Sequence, residues 1–89
     1  MNSSAGWELK IKDRIYKELS EFPARDRKRI LEIIERLPFN PYAGDVEKMK
    51  GEESAWRRRT GNYRIFYEII IVEKLIYVYK IERRTSKTY

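Results

Sequence analysis

The sequence predicts a two-layer α+β domain in which a helical hairpin lies on an antiparallel sheet. Two patterns predict it. Across residues 13–37 apolar side chains recur at spacings of three and four, the period of helices buried along one side. Across residues 55–81 the chain is instead dense in β-branched and aromatic residues broken by turn signals, as in a strand meander. Neither unit can bury its apolar side alone, so each must cover the other.

The elements follow in order. Trp7-Glu8-Leu9-Lys10-Ile11 alternates apolar and charged residues, which suits a half-buried first strand. Asp13 reads as the N-cap of a short helix ending near Glu21, with Ile15, Leu19 and Phe22 on one face. Phe22-Pro23 interrupts it, and Pro23 suits the start of a second helix because its missing N–H is no loss in a first turn. That helix should run from Ala24 to about Leu37, with Ile30, Ile33, Ile34 and Leu37 at i, i+3, i+4 and i+7. Two prolines and Gly44 make residues 38–45 a connecting loop, residues 46–51 lead out of it, and Glu52-Glu53-Ser54 reads as a short turn. Strands are expected at 55–60, 63–71 and 75–81, joined by a hairpin-type Gly61-Asn62 turn and a turn near Glu73-Lys74. The order is β-α-α-β-β-β.

At 89 residues the chain has material for one hydrophobic core, and no repeat or linker suggests a second module, so residues 1–89 are expected to form a single domain. No stretch approaches the roughly 20 apolar residues that span a bilayer, and the polar opening Met1-Asn2-Ser3-Ser4-Ala5-Gly6 lacks the basic and apolar regions of a secretion signal. A cytoplasmic protein is expected. Cysteine and histidine are both absent, which removes disulfides, thiolate and histidine metal sites, serine–histidine triads and histidine-based ribonuclease chemistry. No metal or cofactor is therefore expected. Acid–base work falls to Lys, Tyr, Asp or Glu, and charge stabilisation to Arg, Lys or backbone amides.

Charge is uneven along the chain. Residues 1–47 carry nine basic and nine acidic side chains, whereas residues 48–89 carry eleven and five, so the whole net charge of +6 lies in the second half. That asymmetry fits an anionic partner, or a merely solubilising surface. The segment Trp56-Arg57-Arg58-Arg59-Thr60-Gly61-Asn62-Tyr63-Arg64 sharpens it. Residues two apart on a strand share a face, so Arg57 and Arg59 point together, and Arg64 joins them across the turn if the register allows. Guanidinium groups crowded on one sheet face repel one another, and an anion in the site relieves that cost. A cation-decorated, solvent-facing hairpin is the alternative.

Met49-Lys50-Gly51 followed by this segment and by Ile65-Phe66-Tyr67-Glu68-Ile69 resembles the RelE/ParE toxin family. Its pattern is a lysine–glycine turn, an aromatic–basic–x–basic strand, a Gly-(Asp/Asn)-Tyr-Arg turn and an apolar strand ending in Tyr-Glu. The stretch from Leu19 to Pro23 and the basic tail Glu82-Arg83-Arg84-Thr85-Ser86-Lys87-Thr88-Tyr89 are similar too, so the likeness covers almost the whole chain. It implies two helices on a twisted sheet, and a toxin that cleaves messenger RNA, typically in the ribosomal A site, until a cognate RelB-like antitoxin neutralises it. It also implies a toxin–antitoxin complex, with the free toxin monomeric.

Carried over by position, the resemblance implies catalytic roles for Arg64, Arg83 and Tyr89. Arg64 and Arg83 would hold the scissile phosphate through planar guanidinium forks, and Tyr89 would stack on a base and orient the 2′-hydroxyl. Arg57 and Arg59 would bind flanking phosphates or the leaving side. Lys50, Arg84 and Lys87 complete the expected RNA contacts, although plain solvation also accounts for Lys50. Arg58 and Thr60 stand where the family usually has apolar residues facing the helices, and Glu82 stands where it often has histidine. Tyr16, Tyr42, Tyr63, Tyr67, Tyr77 and Tyr79 read as core or rim aromatics rather than catalysts. Two other functions stay open: a ParE-like binder that poisons DNA gyrase, and a weakened family member that binds RNA or antitoxin without cutting.

Overall fold

Both helices form where the apolar spacing places them. In the computed structural model, which describes residues 6–84, the chain runs β1 (Glu8–Ile11), α1 (Asp13–Ser20), α2 (Ala24–Arg36), β2 (Val46–Lys48), β3 (Ala55–Thr60), β4 (Tyr63–Ile70) and β5 (Leu75–Arg83). Ile15 and Leu19 of α1 and Ile30 and Ile34 of α2 are buried, and Leu37 closes the same stripe one residue past the second helix. Asp13 is the first helical residue and not the cap. Lys12 precedes it with extended backbone and no side-chain cap bond, and the Asp13 carboxylate instead complements the helix dipole from within the first turn.

The sheet has five strands in the order β1-β5-β4-β3-β2. β2, β3, β4 and β5 are antiparallel neighbours, while β1 runs parallel to β5, with Leu9 opposite Ile76 and Ile11 opposite Val78. The sheet is thus mixed where a purely antiparallel one was expected, because β1 adds to the far edge beside the last strand, and β2 is an additional edge strand. Val46 is the only apolar residue of β2 and is only half buried, so β2 is held by its ladder to β3 more than by burial.

The core lies between the helices and one face of β4 and β5. Tyr63, Ile65, Tyr67 and Ile69 alternate inward from β4, and Ile76, Val78 and Ile81 do so from β5. Each such side chain contributes about 1.5–3 kcal/mol by leaving water. Gly61, at φ 57, supplies the positive-φ position of the two-residue turn that pairs Thr60 with Tyr63. Tyr67 is fully buried and its hydroxyl donates to the Pro41 carbonyl at 2.7 Å, so the long loop after α2 is tied to the centre of the sheet.

Burial pushes the Tyr67 phenol up to about 12. A phenol harder to ionise in the folded chain than in the unfolded one stabilises the fold fully below about pH 10, and that stabilisation is lost as pH rises towards 12. Burial also raises Tyr63 and Tyr79, in the same sense. Denaturation midpoints are therefore expected to fall above pH 10, less steeply in Tyr67→Phe. At neutral pH that variant should lose about 1–2 kcal/mol in urea titrations, because the Pro41 carbonyl loses its partner.

Candidate nucleic-acid interface

Strand alternation decides what the sheet shows on the face away from the helices. With Arg57 opposite Phe66 and Arg59 directly opposite Arg64, the register brings Arg57, Arg59 and Arg64 together on that open face. Each is met by a carboxylate. Glu47 Oε1 accepts from Arg57 Nη2 at 2.8 Å and Nε at 3.2 Å, Asp45 Oδ2 accepts from Arg59 Nε at 3.1 Å, and Glu82 Oε1 accepts from Arg64 Nη1 at 3.2 Å. A hollow of about 30 Å³ opens among Asp45, Glu47, Arg57, Arg59 and Arg64. The Arg57 hydrogen bond, then its charge, holds the Glu47 carboxyl below its ordinary 4.5, and Arg59 adds to the effect.

Aromatic side chains continue the same face. The Tyr79 ring lies 6.4 Å from Phe66 and 6.3 Å from Tyr77, stacked on the latter, and Lys80 Nζ sits 5.1 Å from the Phe66 ring centre. This arrangement depends on a bulge. Phe66 pairs with Lys80 but Tyr67 pairs with Val78, which leaves Tyr79 as an extra residue in β5. One inserted residue reverses the facing of everything after it, so Lys80 and Glu82 turn to the open face while Ile81 and Arg83 turn to the helices.

The bulge separates two residues expected to act together. Arg83 lies opposite Tyr63, with its guanidinium carbon 5.7 Å from the Tyr63 ring and 6.0 Å from that of Phe22, whereas Glu82 takes the place beside Arg64. Both lie at the same end of the sheet. The exposed Arg84 donates its backbone N–H to Asn62 at 2.6 Å and so fastens the end of β5 to the hairpin turn. Lys50 is exposed in the turn between β2 and β3. Lys87 and Tyr89 lie outside the described residues. The sequence carries a signal for two of the three carboxylates: Asp45 and Glu47 stand two residues apart, as Arg57 and Arg59 do, and the ladder sets Glu47 against Arg57 and Val46 against Arg58.

Arg58 faces the other way, as its place between Arg57 and Arg59 requires. It lines a groove of about 630 Å³ between α2, the loop 38–45 and β3, together with the apolar Ile33, Leu37 and Phe39 and the basic Arg29 and Arg36. Its Nη1 donates to the Ala43 carbonyl at 3.3 Å, and its buried Nε has no hydrogen-bond partner. Gly44, at φ 87, leaves room for the guanidinium, since a Cβ there would collide with Arg58 Cζ. Tyr63 and Tyr67 belong to the core, and the Tyr63 hydroxyl donates to Asp26 at 2.7 Å.

The pairing can be read in solution. Carboxyl titration by NMR should place Glu47 below 4.5, and Arg57→Gln should move it upward, whereas Arg58→Gln, on the opposite face, should not. The contribution of the pair is present above pH 4.5 and lost as pH falls through the lowered value.

Comparison with known proteins agrees with this architecture. The family model described as the ParE toxin of the type II toxin–antitoxin system parDE matches residues 9–87. A Methanocaldococcus jannaschii protein named RelE1 is 32% identical over 79 residues, covering 85% of this chain and 88% of its own length. A chain of the archaeal RelE–RelB complex from Pyrococcus horikoshii OT3 superposes with a TM-score of 0.79 at 28% identity, over 92% of this chain and 99% of that one. The isolated E. coli RelE toxin shares the fold at 16% identity, with a TM-score of 0.75 over 91% of this chain and 87% of its own. The chain belongs to the RelE/ParE family and is a RelE-type toxin of a toxin–antitoxin system.

Proposed function

We propose that this toxin is a metal-independent endoribonuclease that cuts messenger RNA, at the ribosomal A site, and so stops translation in the cytoplasm. The observation that carries the reading is the gathering of Arg57, Arg59 and Arg64 on one open sheet face beside Tyr77 and Tyr79. Guanidinium groups bind phosphates, and flat rings stack on unpaired bases, the combination by which single-stranded RNA is held. Among the described residues no helix is long and apolar enough to cross a membrane.

RNA brings its own nucleophile. The 2′-oxygen attacks the adjacent phosphorus as its proton leaves, the bond to the 5′-oxygen of the next nucleotide breaks, and that oxygen takes a proton from water, so that a cyclic phosphate and a free 5′-hydroxyl result. The chain must place the phosphate in line and offset charge on its oxygens, which is work for Arg64 and Arg83. Arg83 would leave the rings of Phe22 and Tyr63 and swing round the end of the sheet to reach it. Arg57 and Arg59 would hold flanking phosphates, with Lys50, Arg84 and Lys87 further out. Tyr89 would stack at the cut nucleotide and take the 2′ proton, which needs arginines nearby to lower a phenol that ordinarily titrates near 10.

A RelB-like antitoxin would be the partner, as RelB is in the Pyrococcus complex. The groove beside Arg58 suits an amphipathic acidic segment, since its apolar lining is flanked by Arg29, Arg36 and Arg58 against the single acid Glu32. The free toxin would be a monomer. The ParE description of the family model favours a second reading, a protein that poisons DNA gyrase by binding alone.

Induction with mapping of message ends separates these readings. Wild type should cut translated messages at defined codon positions. Arg64→Ala and Arg83→Ala should each lower cutting by about 100-fold with the fold retained, and Arg84→Ala by about tenfold or less; the reverse ranking of Arg83 and Arg84 would move the phosphate role to Arg84. Intact messages with gyrase-linked DNA breaks would establish the ParE reading, and RNA binding without cutting the weakened one. Arg29→Glu with Arg36→Glu should weaken neutralisation by co-expressed antitoxin by about tenfold or more, while cutting continues.

A further inference from the structure

The open face carries acid that a surface for a polyanion does not need. Arg57, Arg59 and Arg64 each have a carboxylate of this chain within 3.2 Å. Two of those carboxylates are fixed by backbone. Asp45 and Glu47 stand two residues apart, as Arg59 and Arg57 do on the neighbouring strand; Glu47 pairs in register with Arg57, and the Arg59 N–H donates to the Asp45 carbonyl at 3.0 Å. β2 offers the core little besides the half-buried Val46, and its ladder to β3 holds Glu47, with Asp45 just before the strand, beside the arginines. Glu82 reaches the open face only because of the bulge in β5, and Lys80 Nζ flanks it at 3.9 Å.

We propose that Asp45, Glu47 and Glu82 form a built-in anionic cover that occupies the phosphate positions of the free toxin, so that RNA binds by exchanging phosphates for carboxylates. The cover would set specificity. A lone phosphate group displaces one carboxylate and gains little, because one exposed ion pair replaces another. A strand supplying several linked phosphates displaces several carboxylates after a single loss of translational freedom. The site therefore discriminates against free nucleotides and in favour of chains, and Asp45 and Glu47 are the residues that impose the difference. This inference rests on the RNA reading of the same face.

The test uses the full chain and a short single-stranded oligoribonucleotide with 2′-O-methyl groups, which cannot be cut. Binding is followed by fluorescence anisotropy across a salt series for wild type, for Asp45→Asn with Glu47→Gln, for Glu82→Gln, and for Glu8→Gln with Glu73→Gln. The last variant removes the same charge from the opposite edge of the sheet and from the turn before β5. The Asp45/Glu47 variant should bind at least about tenfold more tightly than the Glu8/Glu73 variant, with a logarithmic salt slope steeper by about 0.7 for each arginine uncovered. A nucleoside 5′-monophosphate should compete with the oligonucleotide in the Asp45/Glu47 variant and not in wild type. Glu82→Gln, which leaves β2 untouched, should shift affinity in the same direction by a smaller factor. Equal gains in the two double variants would reduce the effect to net charge, and weaker binding in the Asp45/Glu47 variant would make the acids supports for the arginines; either result overturns the cover while salt-dependent binding by wild type leaves the RNA reading standing. Absence of binding by every protein overturns both.

Discussion

β4 decides both faces of the molecule at once. Its odd-numbered residues Tyr63, Ile65, Tyr67 and Ile69 are buried under the helices, and its even-numbered Arg64, Phe66 and Glu68 look the other way. A slip of one residue would exchange the sets, sending four buried side chains into water and a guanidinium and a carboxylate into an apolar layer. The second change is the costlier, since an unpaired charge leaves water only at great expense. Packing of the core therefore fixes where Arg64 stands, and through the hairpin register it fixes Arg57 and Arg59 as well. The basic surface is a by-product of burial on the opposite side.

The extra residue in β5 then edits this arrangement locally. By reversing the alternation after Val78 it keeps Ile81 in the core, presents Lys80 and Glu82 beside the arginines, and lays Arg83 over Phe22 and Tyr63. Two neighbouring residues of opposite charge thereby end on opposite faces, and the negative one is nearer to Arg64.

What could be read beforehand follows the strength of each physical signal. α1 and α2 were legible because Ile15, Leu19, Ile30 and Ile34 repeat the helical period without interruption. The shared face of Arg57 and Arg59 was legible from strand alternation alone. β2 was not, because Val46-Glu47-Lys48 has no apolar pattern and exists through pairing with Trp56, Arg57 and Arg58 of the next strand. The parallel docking of β1 on β5 depends on the path of the whole chain, which local periodicity does not encode. The bulge was less plain: Leu75 to Tyr79 is one apolar run, and although Lys80-Ile81 breaks the alternation of Ile76 and Val78, it does not single out Tyr79 as the unpaired residue.

Tyr67 anchors the loop 38–45 through Pro41, and that loop is shared property. Its middle, at Phe39 and Ala43, lines the groove beside α2, and its end is Asp45, which holds Arg59 on the far side of the sheet. The two surfaces are therefore mechanically linked: a change of loop length that reshapes the groove also moves the acid facing Arg59. A graft of this loop from a relative would therefore replace part of the groove wall and the acid opposite Arg59 in one exchange.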